Sequence, residues 1–153
     1  MITKYLSANR LLMQIEYVND LPGRDSFFSL FETTNWNKGY KRNEEELYTA
    51  IQHSWLTVSA YADGVLIGFG RALSDGVLHA LIVDMIIAPG YQSNGIGSAI
   101  LNRLTFELKR SGINDILLFC ANGKKDFYLK NGFTERPAGA PGMEYNNANE
   151  HLT

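Results

Sequence analysis

VDMIIAPGYQSNGIGSAILNRL, residues 83–104, passes from an apolar strand through a proline-marked stop and a polar, glycine-containing loop into a helix. Ile96, Ile100, Leu104 and Leu108 recur every four residues, with Ala99 and Leu101 widening the stripe, so an amphipathic helix begins directly after the loop. The first N–H groups of such a helix have no intrahelical partner, and its dipole places partial positive charge there, which makes the turn an anion site in principle. Gly95 and Gly97 remove side chains where a ligand would approach the backbone. A nucleotide P-loop would need Gly-Lys-Ser/Thr, and Gly97-Ser98-Ala99 has no lysine. A dinucleotide fingerprint would need a third small residue where Ile100 stands.

Outward from this stretch, Trp55–Ala62, Val65–Leu73 and Val77–Ala88 are β-leaning runs separated by Asp63-Gly64 and Ser74-Asp75-Gly76, which predicts antiparallel neighbours. Toward the N-terminus the sequence predicts a strand over Leu11–Val18, a helix using Phe27, Phe28, Leu30 and Phe31, a loop over residues 33–42, and a helix over residues 44–54 opened by Asn43 and Glu46. Downstream, Gly112 ends the long helix and Ile116–Ala121 reads as a strand buried on both faces. A short helix over residues 124–131 stops at Gly132, and closing strands are expected around Phe133 and Met143–Tyr145. The order β-α-α-β-β-β-α-β-α-β-β describes an α/β chain of the α+β type, with a mixed, mostly antiparallel sheet flanked by helices.

The chain has 153 residues, 14 basic and 16 acidic, a formal charge of −2 and a pI near 5.9. One domain is expected, since a single core of this size buries roughly 68–70% of the unfolded chain's surface. Without a basic surplus, nucleic acid is not expected as a partner. One cysteine, Cys120, excludes an intrachain disulfide framework, and His53, His79 and His151 are too scattered to suggest a metal site. No run reaches the roughly 18 apolar residues of a membrane span, and MITKYLSANR lacks the apolar segment of a secretion signal, so a cytoplasmic protein is expected. The polar NNANEHLT at the end reads as a frayed tail.

Gln92-Ser93-Asn94-Gly95-Ile96-Gly97 resembles the (Gln/Arg)-x-x-Gly-x-Gly acyl-CoA signature of the GNAT superfamily of N-acetyltransferases. About thirty residues on, Asp126-Phe127-Tyr128-Leu129-Lys130-Asn131-Gly132-Phe133 resembles the family's FYxKxGF segment, and order and spacing agree over roughly residues 54–145. TTNWNKGY and LIGFGRALSDG further resemble small bacterial enzymes related to the plant-type arylalkylamine (serotonin) acetyltransferases. The resemblance implies that acetyl-CoA is the cosubstrate, with its pyrophosphate on the backbone N–H groups of Gln92, Ser93, Asn94, Gly95, Ile96, Gly97 and Ser98. Its pantetheine would pair with the strand edge at Met85, Ile86 and Ile87, in a slot opened by splaying from the following strand. Gln92 replaces the commoner arginine, which removes a charge contact, and Asn122 matches a position where the family often places a CoA-touching asparagine. Trp36, Tyr40, Tyr17 and Tyr145 would wall the acceptor pocket, and a homodimer is expected because family members often dimerise.

Transfer to an amine needs the ammonium deprotonated, the oxyanion stabilised and the departing thiolate protonated. Tyr128 is the candidate acid, being protonated at neutral pH and flanked at i−3 and i+3 by polar Lys125 and Asn131; the alternative is an aromatic packed on the sheet. Asp84, inside the apolar run Leu81–Ile87, is the candidate base, made more basic by desolvation, with a carboxylate bonded to loop amides as the alternative. His79 is the reserve base, and the oxyanion donor is expected from backbone N–H near Met85–Ile87. Cys120 is expected to be a small buried hydrophobe. The function expected is direct acetylation of a small primary amine, an aromatic amine being one option; a protein or peptide amine, or a CoA-binding sensor without turnover, are the alternatives.

Overall fold

The computed structural model describes residues 14–145. By internal contacts the chain divides into two compact units, the first ending at Leu118 and the second beginning at Phe119. The first unit holds β1 (Ile15–Val18), α1 (Arg24–Glu32), α2 (Asn37–Tyr40), α3 (Glu44–Gln52), β2 (Leu56–Ala62), β3 (Val65–Ser74), β4 (His79–Ile87), α4 (Ile96–Arg110) and β5 (Asp115–Leu118). The five strands lie in the order β1-β2-β3-β4-β5, antiparallel except for the parallel β4–β5 pair. Asp63 and Gly64 both take positive φ, as the tight β2–β3 hairpin requires, and Asp75 organises the β3–β4 turn by accepting from the N–H groups of Val77, Leu78 and His79.

On one face of the sheet α4 buries Ile96, Ile100, Leu101, Leu104 and Leu108, each contributing on the order of 1.5–3 kcal/mol. Gly112, left-handed at φ +84, closes it with bonds from its own N–H to Lys109 O and from the Ile113 N–H to Leu108 O, a Schellman ending. The helix sits very close to β3. A Cβ on Gly70 would stand 2.8 Å from Ile100 Cγ2 and 2.7 Å from Met85 Sδ. On the other side, Phe27, Leu30 and Phe31 of α1 and Leu47 and Ile51 of α3 form one cluster with Leu66, Phe69 and Ile86 of the sheet. Phe27 meets Phe69 edge to face at 4.9 Å between centroids. α3 opens with the expected capping box: Asn43 Oδ1 accepts from the Glu46 N–H and Glu46 Oε2 from the Asn43 N–H, both at 2.9 Å.

The second unit contains α5 (Lys125–Lys130), ended by Asn131 and the left-handed Gly132. Gly142 lies against the Phe119 ring in a fit that leaves no room for a Cβ.

Four expectations are corrected. Residues 33–42, read as loop, contain the single turn α2, pinned where the Asn37 side chain donates to Glu32 Oε1 and Arg42 O and accepts from the Arg42 N–H. The strand expected over Ile116–Ala121 runs over Asp115–Leu118 and is only half-buried, because among the described residues it is the sheet's edge and pairs on one side alone. Cys120, beyond that strand, is exposed. The closing strands at Phe133 and Met143–Tyr145 are absent among the described residues, where Pro137 and Pro141 withhold ladder donors and a turn joins the Ala140 N–H to Pro137 O. Leu11–Met13 of the first expected strand, and the tail from residue 146, lie outside the described residues.

The close approach of α4 gives a direct test. Gly70→Ala should lower stability by about 1–3 kcal/mol in urea denaturation. Gly39→Ala, where nothing stands within 4 Å of the new methyl, should leave it unchanged or slightly raised.

Candidate active site

β3 and β4 fall out of register in the middle of the sheet. Phe69 faces Ile86 and Arg71 faces Val83, so the single Gly70 opposes both Asp84 and Met85. This β-bulge takes one residue out of the ladder and bends the strand. Asp84 carries the strain as a left-handed residue at φ +55, a conformation that aspartate tolerates better than most L-residues. On its other side β4 pairs with β5 only as far as Ile82–Leu118, so among the described residues Val83–Ile87 have no strand partner there. Met85, Ile86 and Ile87 therefore stand where an extended ligand could add to the sheet, with Ile86 directed into the core and Met85 and Ile87 half-buried.

Beyond Ile87 the chain makes a short 3₁₀ turn, Pro89–Tyr91, and then the loop into α4. Gln92 does not reach outward. Its side-chain amide donates to Ile87 O at 3.1 Å, while that of Asn94 donates to Tyr91 O and Gln92 O. Ser93 at φ +63 and Gly95 at φ +79 are both left-handed, and the space where a Gly95 side chain would lie is open. Gly95 is the N-cap of α4 with no side-chain cap, and the first turn contains no acid. The N–H groups of Ile96, Gly97 and Ser98 thus begin a 15-residue helix without the carboxylate or hydroxyl that usually covers them. These features fit an anionic diphosphate. The Ile96 side chain is core, which leaves its backbone as the part available to a ligand.

A cleft of about 470 Å³ opens between α1, α2 and α3, lined by Phe27, Phe31, Tyr40, Leu47, Ile51 and Asp84. Arg42, Glu45 and Glu46 also border it, and the acids are paired: Glu46 with Arg42 at 3.2 Å and Glu45 with Arg24 at 2.7 Å. Trp36, partly exposed, packs edge to face on Phe31 with centroids 5.9 Å apart and is not among the residues that line the cleft. Asp84, expected as a desolvated base or as a carboxylate bonded to loop amides, has an arginine for its partner. Arg71 Nε donates to its Oδ2 at 2.6 Å, with side chains 13% and 21% exposed respectively. Arg71 escaped the sequence reading although it too is a lone charge in an apolar run, Val65–Leu73. His79 is exposed and pairs with Asp115 at 2.5 Å at the start of the parallel pair. Tyr17 is half-buried on β1, and burial raises its pKa.

In the second unit Tyr128 lies on α5, half-buried between Phe127 and Phe133 at centroid distances of 5.0 and 6.1 Å. Burial raises its pKa above the ordinary 10, with the Cys120 thiol adding to the effect. Asn122 is exposed in a turn before Gly123, and Tyr145 is 82% exposed. Among the described residues no group of three or more His, Cys, Asp or Glu could hold a metal ion, and no helix is long and apolar enough to cross a membrane.

The acetyltransferase (GNAT) domain family matches residues 53–135, just over half of the chain, from the end of α3 through α5. The chain belongs to the GNAT acetyltransferase family. Among relatives of this GNAT chain, serotonin N-acetyltransferase 2, chloroplastic, of Oryza sativa is 33% identical over 116 residues, 73% of this chain and 58% of that protein. A Glycine max protein named as a histone acetyltransferase is 40% identical over 114 residues, 67% of this chain and 49% of that protein. The chain therefore spans about half to three-fifths of the length of these relatives. The PaiA N-acetyltransferase of Thermoplasma acidophilum, solved in complex with coenzyme A, shares the fold at a TM-score of 0.66 and 22% identity, over 81% of this chain and 92% of that one.

A phenol held above its usual pKa keeps its proton through neutral and mildly alkaline pH, and folding resists its ionisation. Stability from this group is full below pH 10 and is lost as pH rises through the raised value. A difference titration at 295 nm between the wild type and Tyr128→Phe should show one phenol ionising above pH 10.

Proposed function

We propose that this protein is an acetyl-CoA-dependent N-acetyltransferase that transfers acetyl directly to a primary amine of a small molecule. The observation that carries this reading is the uncapped start of α4, with no acid in its first turn, following the half of β4 that pairs with β3 on one side and, among the described residues, with no strand on the other. Together they offer backbone donors to a diphosphate and an edge to the amides of a pantetheine arm. The family membership and the coenzyme A complex of the Thermoplasma protein support the same cosubstrate.

In this reading the loop residues Gln92–Ser98 hold the phosphates through main-chain N–H, and the Gln92 and Asn94 side chains keep the loop in shape by bonding its carbonyls. Asn122 would be a further CoA contact. Asp84 receives the proton that the acceptor ammonium must lose, directly or through water. The amine nitrogen then bonds to the thioester carbon, backbone N–H near Met85–Ile87 stabilises the oxyanion, and the C–S bond breaks. Tyr128 protonates the departing thiolate, for which a phenol still protonated at neutral pH is suited, and its phenolate regains a proton as the new amide nitrogen sheds the second one it carried. The acceptor lies in the cleft against the exposed Tyr40, with the buried rings of Phe27 and Phe31 beneath, a lining that suits an amine carrying an apolar or aromatic group.

A second reading is acetylation of a protein lysine, favoured by the relative named as a histone acetyltransferase. A lysine side chain is itself an alkylamine, so the walled cleft does not exclude it.

Acetyl-CoA should raise the melting temperature, and thiol release should appear with members of a panel of arylalkylamines, polyamines, amino sugars and lysine peptides. Tyr128→Phe should lower kcat by roughly 10²-fold with the acetyl-CoA stabilisation retained. No thermal stabilisation by acetyl-CoA would sink the reading, and turnover of peptides alone would move it to protein acetylation.

A further inference from the structure

Arg71 makes three hydrogen bonds from one guanidinium. Nε donates to Asp84 Oδ2 at 2.6 Å, while Nη1 donates to Ala50 O at 2.9 Å and to Ser54 Oγ at 3.4 Å. Ala50 lies in the last turn of α3, where carbonyl oxygens have no helical donor, so a fixed cation there also meets the negative end of the helix dipole. Ala50 and Asp84 both line the cleft. A single side chain thus ties the helical wall of the cleft to the carboxylate at the bulge of β4.

We propose that Arg71 is a positioning residue for acetyl transfer: it fixes Asp84 through one oxygen and cancels its charge, so that the cleft binds the acceptor without stabilising its unreactive ammonium form. The inference rests on the acetyltransferase reading. A bare carboxylate would hold an ammonium tightly and raise the cost of removing its proton. With Arg71 in place, the pair carries no net charge, and Oδ1 takes no hydrogen bond among the described residues, which leaves it able to accept from an amine N–H. The other charged groups bordering the cleft do not restore an excess. Glu46 is paired with Arg42, and Glu45 with Arg24 of α1. These pairs are exposed and weakened by salt, whereas the Arg71–Asp84 pair is shielded by the sheet and α3. Arg71 touches neither reacting atom in this arrangement; it acts through Asp84 and through α3.

The test uses the whole chain, with acetyl-CoA and an amine that the wild type acetylates. In Arg71→Met the ascending limb of the kcat–pH profile, which reports the bound complex, should move up by about one pH unit. Near neutral pH kcat should fall about tenfold while KM for the amine falls or holds, and the thermal shift given by acetyl-CoA should persist. Arg71→Lys keeps the charge but not the three-way geometry, so it should restore the position of the limb. A loss of kcat with an unmoved limb in Arg71→Met, or a limb in Arg71→Lys as displaced as in Arg71→Met, would assign Arg71 to structure alone and overturn the proposal. Absence of turnover with every amine, despite stabilisation by acetyl-CoA, would overturn the acetyltransferase reading and the proposal with it.

Discussion

Two residues of β4, Asp84 and Met85, stand opposite Gly70 of β3, and most of what distinguishes this sheet follows from that mismatch of one. The extra residue bends β4, and the strand's far half, Val83–Ile87, continues past the last pair with β5. The absence of a side chain at Gly70 gives Met85, Ile100 and Leu104 room to close over the same spot, so helix and strand are packed most tightly where the ladder is least regular. Asp84 occupies a backbone conformation that most residues avoid, and the surrounding packing holds it there. The bulge therefore sets two things at once: where the carboxylate enters the cleft, and where the strand delivers the loop that begins α4.

Much of this architecture was legible in the residues, since the signals were local. Asp63-Gly64, the Asn43–Glu46 pair, the four-residue spacing of Ile96 to Leu108 and the Gly112 stop each rest on contacts within a turn or two of the chain. The closing strands are absent among the described residues for a local reason too: the prolines and glycines of residues 137–142 break the pattern that the apolar residues on either side suggest. Register was different. Nothing along β3 or β4 alone says that one glycine faces two residues, because the mismatch exists only between strands.

The candidate site shows the same division. Asp84 stood out as a charge inside an apolar run, and the structure places it on the cleft. Its partner Arg71 carries the same anomaly thirteen residues earlier, yet only strand pairing brings the two together. Reading each charge alone made Asp84 a desolvated carboxylate; reading them as neighbours makes it half of a pair. Trp36, expected as a pocket wall from the family resemblance, packs on Phe31, while the cleft is lined largely by α1 and α3 residues, several of them core. Sequence patterning marks which face of a helix is apolar and does not tell whether that face is filled or left open.

The loop into α4 is shaped by main-chain dihedrals at Ser93 and Gly95 and by amide side chains bonded to carbonyls of the same segment. Groups that point at a ligand from such a loop belong to the peptide backbone and are the same whatever side chains the residues carry. Identity can then drift at most of these positions while geometry is kept. The number of peptide units between Ile87 and Ile96 cannot drift in the same way, since removing one would rotate every donor after it. Tolerance here is to substitution, and fragility is to insertion and deletion.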